Sequence, residues 1–226
     1  MNKNVLIVAA HPDDEVFGCA GTVAKLVKKK WKVHLLFFTD GISARKNKKN
    51  LASKILRRKS AALKSSKLLG IKNVKFLSFP DNGLDKVKLI EIIQEIESYM
   101  KQFKPEMIFT HSNTDLNIDH EIINRAVITA TRPQPNCYVK KILLFETLSS
   151  TEWNFSSKKL NFKPNYFVDI KDTIKIKIKA IKAYKSELRR WPHPRSVNGA
   201  KILANYRGQS VGLQFAEAFF LLREKS

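Results

Sequence analysis

Six apolar residues, Val5 to Ala10, run without a polar interruption and stop at His11-Pro12-Asp13-Asp14-Glu15. A short run of this kind, with β-branched members and a polar boundary, reads as a strand buried on both faces, the type found inside parallel sheets. His11 then stands at the carboxyl end of that strand, the edge on which open α/β sheets bind ligands. Pro12 fixes its own φ and biases His11 towards extended backbone, so the turn is stiff. A stiff turn carrying an imidazole and two carboxylates suits a divalent metal: His11 and one aspartate can ligate, and the spare carboxylate is left to act on water. The competing interpretation is a capped helix N-terminus, with Asp13 or Asp14 as cap and Glu15 favoured by the dipole. Capping, however, requires neither His11 nor a second aspartate.

The pattern that follows alternates helix and strand. Val16 to Lys30 has helical spacing and ends in lysines, and Val33 to Thr39 is a second buried strand that brings Thr39-Asp40-Gly41 to the same edge as His11. Leu51 to Leu69 is a helix closed by Gly70, and Val74 to Phe79 a strand running into Pro80-Asp81-Asn82-Gly83. Leu84 to Phe103 is the third helix and Met107 to Thr110 the fourth strand. Four alternations predict a single α/β domain over 1–226, Rossmann-like, with a mostly parallel doubly wound sheet and helices on both faces. Residues 1–132 form the core that carries the metal motif. Residues 133–226 complete the sheet and the substrate rim, with strands at Ile142 to Phe145 and Tyr166 to Ile170, helices from Thr173 to about Leu188 and from Val197 to Arg207, and a final apolar element, Phe215 to Arg223, packed on the sheet.

A second constellation follows the fourth strand: His111, Asp115, Asn117, Asp119 and His120, then a helix from Glu121 to Arg132. Strand order puts it on the same edge as His11 and Asp14, so one of its histidines can complete a site of three protein ligands with a position open for water. His120 starts a helix and can be aimed rigidly; His111, at the strand end, competes with it. His34, inside the second strand, reads as a core histidine. Arg45, beside a basic loop at 46–50, can reach a substrate anion. Glu146, at a strand end, either contacts substrate or pairs with a Lys or Arg. Trp153 either covers the core or belongs to a sugar-stacking rim, in a stretch from Ser149 to Asn165 without periodicity. Two prolines hold His193 in an extended loop with Arg190 and Arg195 close by, either as part of the site or as a rigid connector.

The chain carries 42 Lys and Arg against 20 Asp and Glu, a formal charge of +22. The lysines are dispersed over turns and solvated helix faces, and no zinc-finger, RNP or helix-turn-helix signature accompanies them, so nucleic acid is not the expected partner. An acidic substrate is compatible with this charge. Two cysteines give neither a disulfide framework nor a Cys-x-x-Cys metal pattern. Neither a secretory leader nor a run of eighteen apolar residues is present, which predicts a cytoplasmic protein.

The His-Pro-Asp-Asp-Glu turn after a buried strand, followed by Gly18 to Thr22 and later by Asp119-His120 before a helix, resembles the zinc-dependent N-deacetylases of the PIG-L/LmbE family. The resemblance covers nearly the whole chain and is strongest over its first 132 residues. It implies His11, Asp14 and His120 as ligands of Zn²⁺, with another divalent ion able to use the same donors, and Asp13 as general base. It further implies Asp119 as a support behind the ligands and Asp81 towards a sugar hydroxyl; beside these, Asp115 is a candidate second support, and Arg45, Glu146 and Arg195 are candidate substrate contacts. The implied reaction is removal of an N-acetyl group from an amino sugar, free or carried on a nucleotide, lipid or glycan. Segments such as Pro192 to Ser196 resemble a bacterial branch linked to surface-polysaccharide or modified-sugar pathways. One departure stands out. Well-studied bacterial members have a histidine where this chain has Asn117, and asparagine can steady an oxyanion but cannot deliver a proton. Asn117 or His193 would then face the oxyanion, and Asp13 or a histidine from elsewhere would protonate the leaving amine. The alternatives are an amidase on another small amide and a non-catalytic sugar- or nucleic-acid-binding protein. A homo-oligomer is compatible with all of these.

Overall fold

The computed structural model describes residues 3–135, 137–155 and 161–225. Its strands are β1 (Asn4–Ala9), β2 (Lys32–Phe37), β3 (Asn73–Phe76), β4 (Met107–His111), β5 (Lys141–Phe145), β6 (Tyr166–Asp169) and β7 (Ala216–Glu224). They form one sheet in the order β3-β2-β1-β4-β5-β7-β6, parallel from β3 to β5 and antiparallel where β7 meets β5 and β6. The final apolar element is therefore a strand within the sheet, inserted between β5 and β6, and not a layer packed on it.

All six residues of β1 are buried, because helices cover both faces of the sheet. Val5, Ile7 and Ala9 enter one core with α2 (Ala20–Lys28), α3 (Leu51–Leu69), α6 (Ile174–Ala183) and α7 (Val197–Gln209). Leu6, Val8 and Ala10 enter the other, with α4 (Leu89–Phe103) and α5 (Ile118–Ala130). Burying each large apolar side chain in these layers contributes about 1.5–3 kcal/mol before the entropy of ordering it. His34 is buried among them and stacks on Phe103 at 3.8 Å, as a core histidine should.

The helix expected over Val16 to Lys30 is two helices, α1 (Asp14–Gly18) and α2, separated at Cys19. The break has two causes. Gly18 lies under the Phe145 ring, where an added Cβ would come within 2.4 Å. Glu217, from β7, takes the N–H groups of Gly21 and Thr22 at 2.8 and 2.6 Å and so caps a new helix N-terminus. The helix expected from Leu84 begins as a 3₁₀ turn, Leu84–Lys86, and α4 starts at Leu89. Here Asp119 holds the backbone N–H groups of Asn82 and Leu84 at 2.8 and 3.0 Å and fixes the chain outside helical geometry. Helix α6 ends at Ala183, short of Leu188, and leaves Tyr184 and Glu187 free to reach the motif around residue 13.

Strand order reverses at β1, whose neighbours are β2 and β4. The loops leaving β1 and β4 thus diverge at their carboxyl ends, and the crevice between them is the ligand position expected of this topology. His11 follows β1, His111 ends β4, and His120 lies in the first turn of α5.

Candidate metal centre and active-site cleft

Three donor atoms converge in that crevice. His11 Nδ1 lies 3.2 Å from His120 Nε2, and Asp14 Oδ2 lies 3.3 Å from each. Equal spacing of about 3.3 Å is the edge of a tetrahedron whose centre stands about 2.0–2.1 Å from each donor, the bond length of zinc to imidazole and carboxylate. All three side chains are buried.

The far side of each ring faces a carboxylate. His11 Nε2 is 3.1 Å from Asp119 Oδ2, and His120 Nδ1 is 3.1 Å from Asp115 Oδ1. Each neutral ring then keeps its proton on the outer nitrogen and turns a lone pair inwards, the arrangement that orients and strengthens metal-ligating histidines. Asp115 is itself held by the Thr151 hydroxyl at 2.7 Å and by the Ser150 hydroxyl. With two lone pairs and an anion pointing at one spot, the residues fit a cation. Without one, protons take its place. Burial opposes charge on His11, yet Asp119 and Asp14 raise its imidazole to about 8; burial likewise opposes charge on His120, and Asp14 and Asp115 raise it to about 10. Burial also works against the Asp14 anion, but His120, His111 and His11 hold it well below the ordinary carboxylate range.

His111 stands apart from this triad. Its Nε2 accepts the Ala10 N–H at 3.0 Å, so that lone pair is engaged, and burial depresses its pKa to about 3. Its ring stacks on His120 at 3.8 Å and fixes the plane of that ligand.

Asp13 is the spare carboxylate. Its φ of 117° is left-handed, a conformation costly for a non-glycine residue and held here by its N–H donating to Glu15 Oε2 at 3.0 Å. Glu15 in turn accepts the Tyr184 hydroxyl at 2.6 Å. One oxygen of Asp13, Oδ2, is gripped by two guanidiniums, Arg58 at 3.1 Å and Arg195. The other, Oδ1, is buried without a hydrogen-bond partner among the described residues. A buried carboxylate oxygen left free beside three metal donors is poised for a ligand proton. Burial raises the Asp13 carboxyl above its ordinary range, while Arg195 and Arg58 pull the other way.

These groups open into a cleft that is also lined by Gly41, Arg45, Asp81, Asn82, Asn117 and Ser149. Asp81 accepts the Ala44 N–H at 2.9 Å, which pins the loop bearing Arg45. Asn117 caps α5 by accepting the Asp119 N–H and donates one amide hydrogen to Asn82 at 3.0 Å, leaving its second hydrogen to the cleft. Two residues singled out in the sequence lie elsewhere. Glu146 forms a bidentate pair with Arg207 at 2.8 and 2.6 Å, behind the cleft, so of its two expected roles it takes the ion pair. His193 does not line the cleft; its Nδ1 accepts the Arg195 N–H and its ring meets the edge of Trp153. The proline-flanked loop delivers Arg195 instead. Trp153 is 40% exposed at the rim, and residues 156–160 of its stretch lie outside the described residues.

Arg58 and Glu187 were not anticipated. Arg58 is buried in the middle of a lysine-rich helix, with Nε on the Pro12 carbonyl and Nη1 on both Gly41 O and Glu187 Oε2, each at 2.9 Å. The readable signal is spacing: Arg58, Ala62, Ser65 and Leu69 form the buried stripe of α3, and Arg58 alone in it is charged.

The chain is similar to known proteins. The family model PIG-L, described as GlcNAc-PI de-N-acetylase, matches residues 6–131. The diacetylchitobiose deacetylase of Thermococcus kodakarensis is 27% identical over 229 residues, covering 95% of this chain and 81% of that protein. Among solved structures, the N,N′-diacetylchitobiose deacetylase of Pyrococcus horikoshii superposes with a TM-score of 0.79 at 22% identity, over 98% of this chain and 84% of that one. GalB of Pseudomonas putida, a 4-carboxy-2-hydroxymuconate hydratase, gives 0.76 at 19% identity over 99% and 97%. The fold is thus shared by enzymes of different reaction classes, and the activity has to be read from the site.

Proposed function

The chain belongs to the PIG-L family, and from that premise we propose that it is a metal-dependent hydrolase that removes the N-acetyl group from an amino sugar or sugar conjugate. The observation that carries this reading is the juxtaposition of three equally spaced donors, His11, Asp14 and His120, with the unpartnered Oδ1 of Asp13. Zinc suits two imidazoles and a carboxylate best, although other divalent ions accept the same set. A divalent ion bound there polarises an amide carbonyl and eases the deprotonation of water.

The remaining steps fall to the side chains. Asp13 Oδ1 takes a proton from the water that attacks the acetyl carbon, while Arg58 and Arg195 keep the carboxylate in place. As the C–N bond breaks, the same oxygen returns that proton to the departing amine. Asn117 lines the cleft with an amide hydrogen to spare and cannot supply a proton, so acid and base duties meet on Asp13. The free hydrogen of Asn117 Nδ2 is available to the oxygen on which charge develops. Asp81 and Arg45 are the polar groups within reach of sugar hydroxyls or a substrate anion.

Metal content and acetate release from a panel of N-acetylated sugars and nucleotide sugars test the proposal, with wild type and Asp13→Asn compared. One ion per chain in both proteins, with acetate from wild type and at least about 10²-fold less from the variant, is the expected result. Bound metal with no acetate from any substrate would sink the deacetylase reading, and no metal after reconstitution would sink the hydrolase reading altogether.

A further inference from the structure

We propose that the mouth of the cleft is a docking surface for an anionic lipid bilayer. Four large apolar side chains stand exposed on the segments that supply its lining: Leu116 at 55%, Trp153 at 40%, Phe155 at 87% and Trp191 at 56%. They come from three separate segments, each contributing a residue to the cleft. Leu116 precedes Asn117, Trp153 and Phe155 follow Ser149 and Ser150, and Trp191 shares a loop with Arg195. The segments touch one another, since Asn154 Nδ2 donates to Thr114 O at 2.9 Å and the Trp153 ring lies edge-on to His193 at 5.5 Å.

Apolar side chains gathered at one opening mark an interaction site more strongly than the same residues scattered singly. Their type selects the partner. Tryptophan and phenylalanine settle at the boundary between headgroups and acyl chains, whereas an exposed leucine offers nothing to a sugar hydroxyl and no flat face for stacking.

Charge points the same way. Arg189 and Arg190 are exposed on the loop of Trp191, and neither is in an ion pair among the described residues. The loop that follows Arg45, itself a lining residue of the cleft, adds exposed lysines at 46, 48 and 49. The exposed carboxylate nearest Trp153, Glu152, has its oxygens turned to the Ser149 and Ser150 N–H groups. Basic residues interleaved with exposed aromatics are the pattern that binds anionic lipid from the surface. Contact of this kind is peripheral, and no helix among the described residues is long and apolar enough to cross a membrane.

The proposal stands apart from the hydrolase reading, because binding is measured without turnover. The full chain is co-sedimented with vesicles of phosphatidylcholine alone and of phosphatidylcholine mixed with phosphatidylglycerol, and tryptophan emission is followed in parallel. Roughly tenfold more protein should bind the anionic vesicles, with a blue-shifted emission and a loss of binding as salt is raised. The pair Trp191→Ala and Phe155→Ala should lose most of that binding while keeping wild-type metal content and far-ultraviolet circular dichroism. Arg189→Gln with Arg190→Gln gives an independent, more conservative check of the same face. Absence of binding to anionic vesicles overturns the proposal. So does undiminished binding by both variant pairs, which would assign the effect to overall charge. A tryptophan response to soluble chitooligosaccharides but not to vesicles would overturn it too, in favour of a glycan rim.

Discussion

Arg58 joins two carboxylates that come from opposite ends of the chain, donating Nη2 to Asp13 at 3.1 Å and Nη1 to Glu187 at 2.9 Å. Glu187 also holds Arg45 at 2.6 Å, so the rim cation and the proposed base are linked through one buried guanidinium. Substituting Arg58 by Met keeps bulk and removes the charge, leaving both carboxylates short of a partner. We expect a loss of about 3–5 kcal/mol in unfolding free energy, the usual cost of breaking a buried pair from one side. Urea denaturation measures it, and a loss below about 1 kcal/mol would show that water or Arg195 takes over the role.

Metal binding should release protons. In the metal-free protein the surrounding carboxylates raise His11 and His120 above the ordinary imidazole range, and with Nδ1 and Nε2 only 3.2 Å apart the pair holds protons that a neutral ligand must give up. Affinity should therefore rise with pH through 7 and 8, and up to about two protons should leave per ion bound. Calorimetry in buffers of different ionisation enthalpy reads that number directly. A heat independent of buffer would mean that the rings are already neutral.

His34 should make stability depend on pH in the opposite range. Its folded pKa is depressed to about 4 by burial, against an ordinary 6.5 in the unfolded chain. Between these values the unfolded state binds more protons than the folded one, so this contribution is complete above pH 6.5 and lost as pH falls towards 4. The loss should be on the order of 2 kcal/mol. His34→Phe preserves the stacking with Phe103, and its stability relative to wild type should improve steadily as pH drops across this window. Parallel curves for the two proteins would contradict the assignment.

Glu217 caps α2 and also accepts Lys177 Nζ at 2.6 Å. In Glu217→Gln the side chain still fits and its amide oxygen can still accept a bond, yet the buried Lys177 ammonium loses its counter-charge. The expected loss is about 3 kcal/mol or more in thermal or urea unfolding. The double variant Glu217→Gln, Lys177→Met should recover part of it, since removing both charges avoids the stranded one.

What the sequence disclosed divides along physical lines. The alternation of strands and helices up to β4 was legible because each element carries its own period, as the run from Val5 to Ala10 illustrates. His11 and the paired aspartates stood out because they lie in a local motif at a strand end, whereas the choice of Asp14, and of His120 over His111, rested on the family resemblance. The place of β7 was not, since insertion between β5 and β6 depends on pairing between residues far apart in sequence. Arg58 was hidden for a related reason. A single arginine among lysines looks solvated until the stripe formed with Ala62, Ser65 and Leu69 is traced. In the loop at 189–195 the segment and Arg195 were recognisable but the contact was not, because only the fold shows that Arg195 reaches Asp13 while His193 supports its backbone.

The contact between Glu217 and the start of α2 spans 196 residues. During synthesis the motif of residues 11–15 emerges long before Glu217, the carboxylate that begins α2. Until then the turn of residues 11–15 lacks its neighbouring helix start, and Lys177 and Tyr184, which brace the same region, are also late. Helices α2 to α5 can cover both faces of β1 before then, but the junction between α1 and α2 waits for β7. A nascent chain arrested before residue 217 leaves the N–H groups of Gly21 and Thr22 without their carboxylate, and the local geometry beside the motif depends on a contact of very high sequence separation.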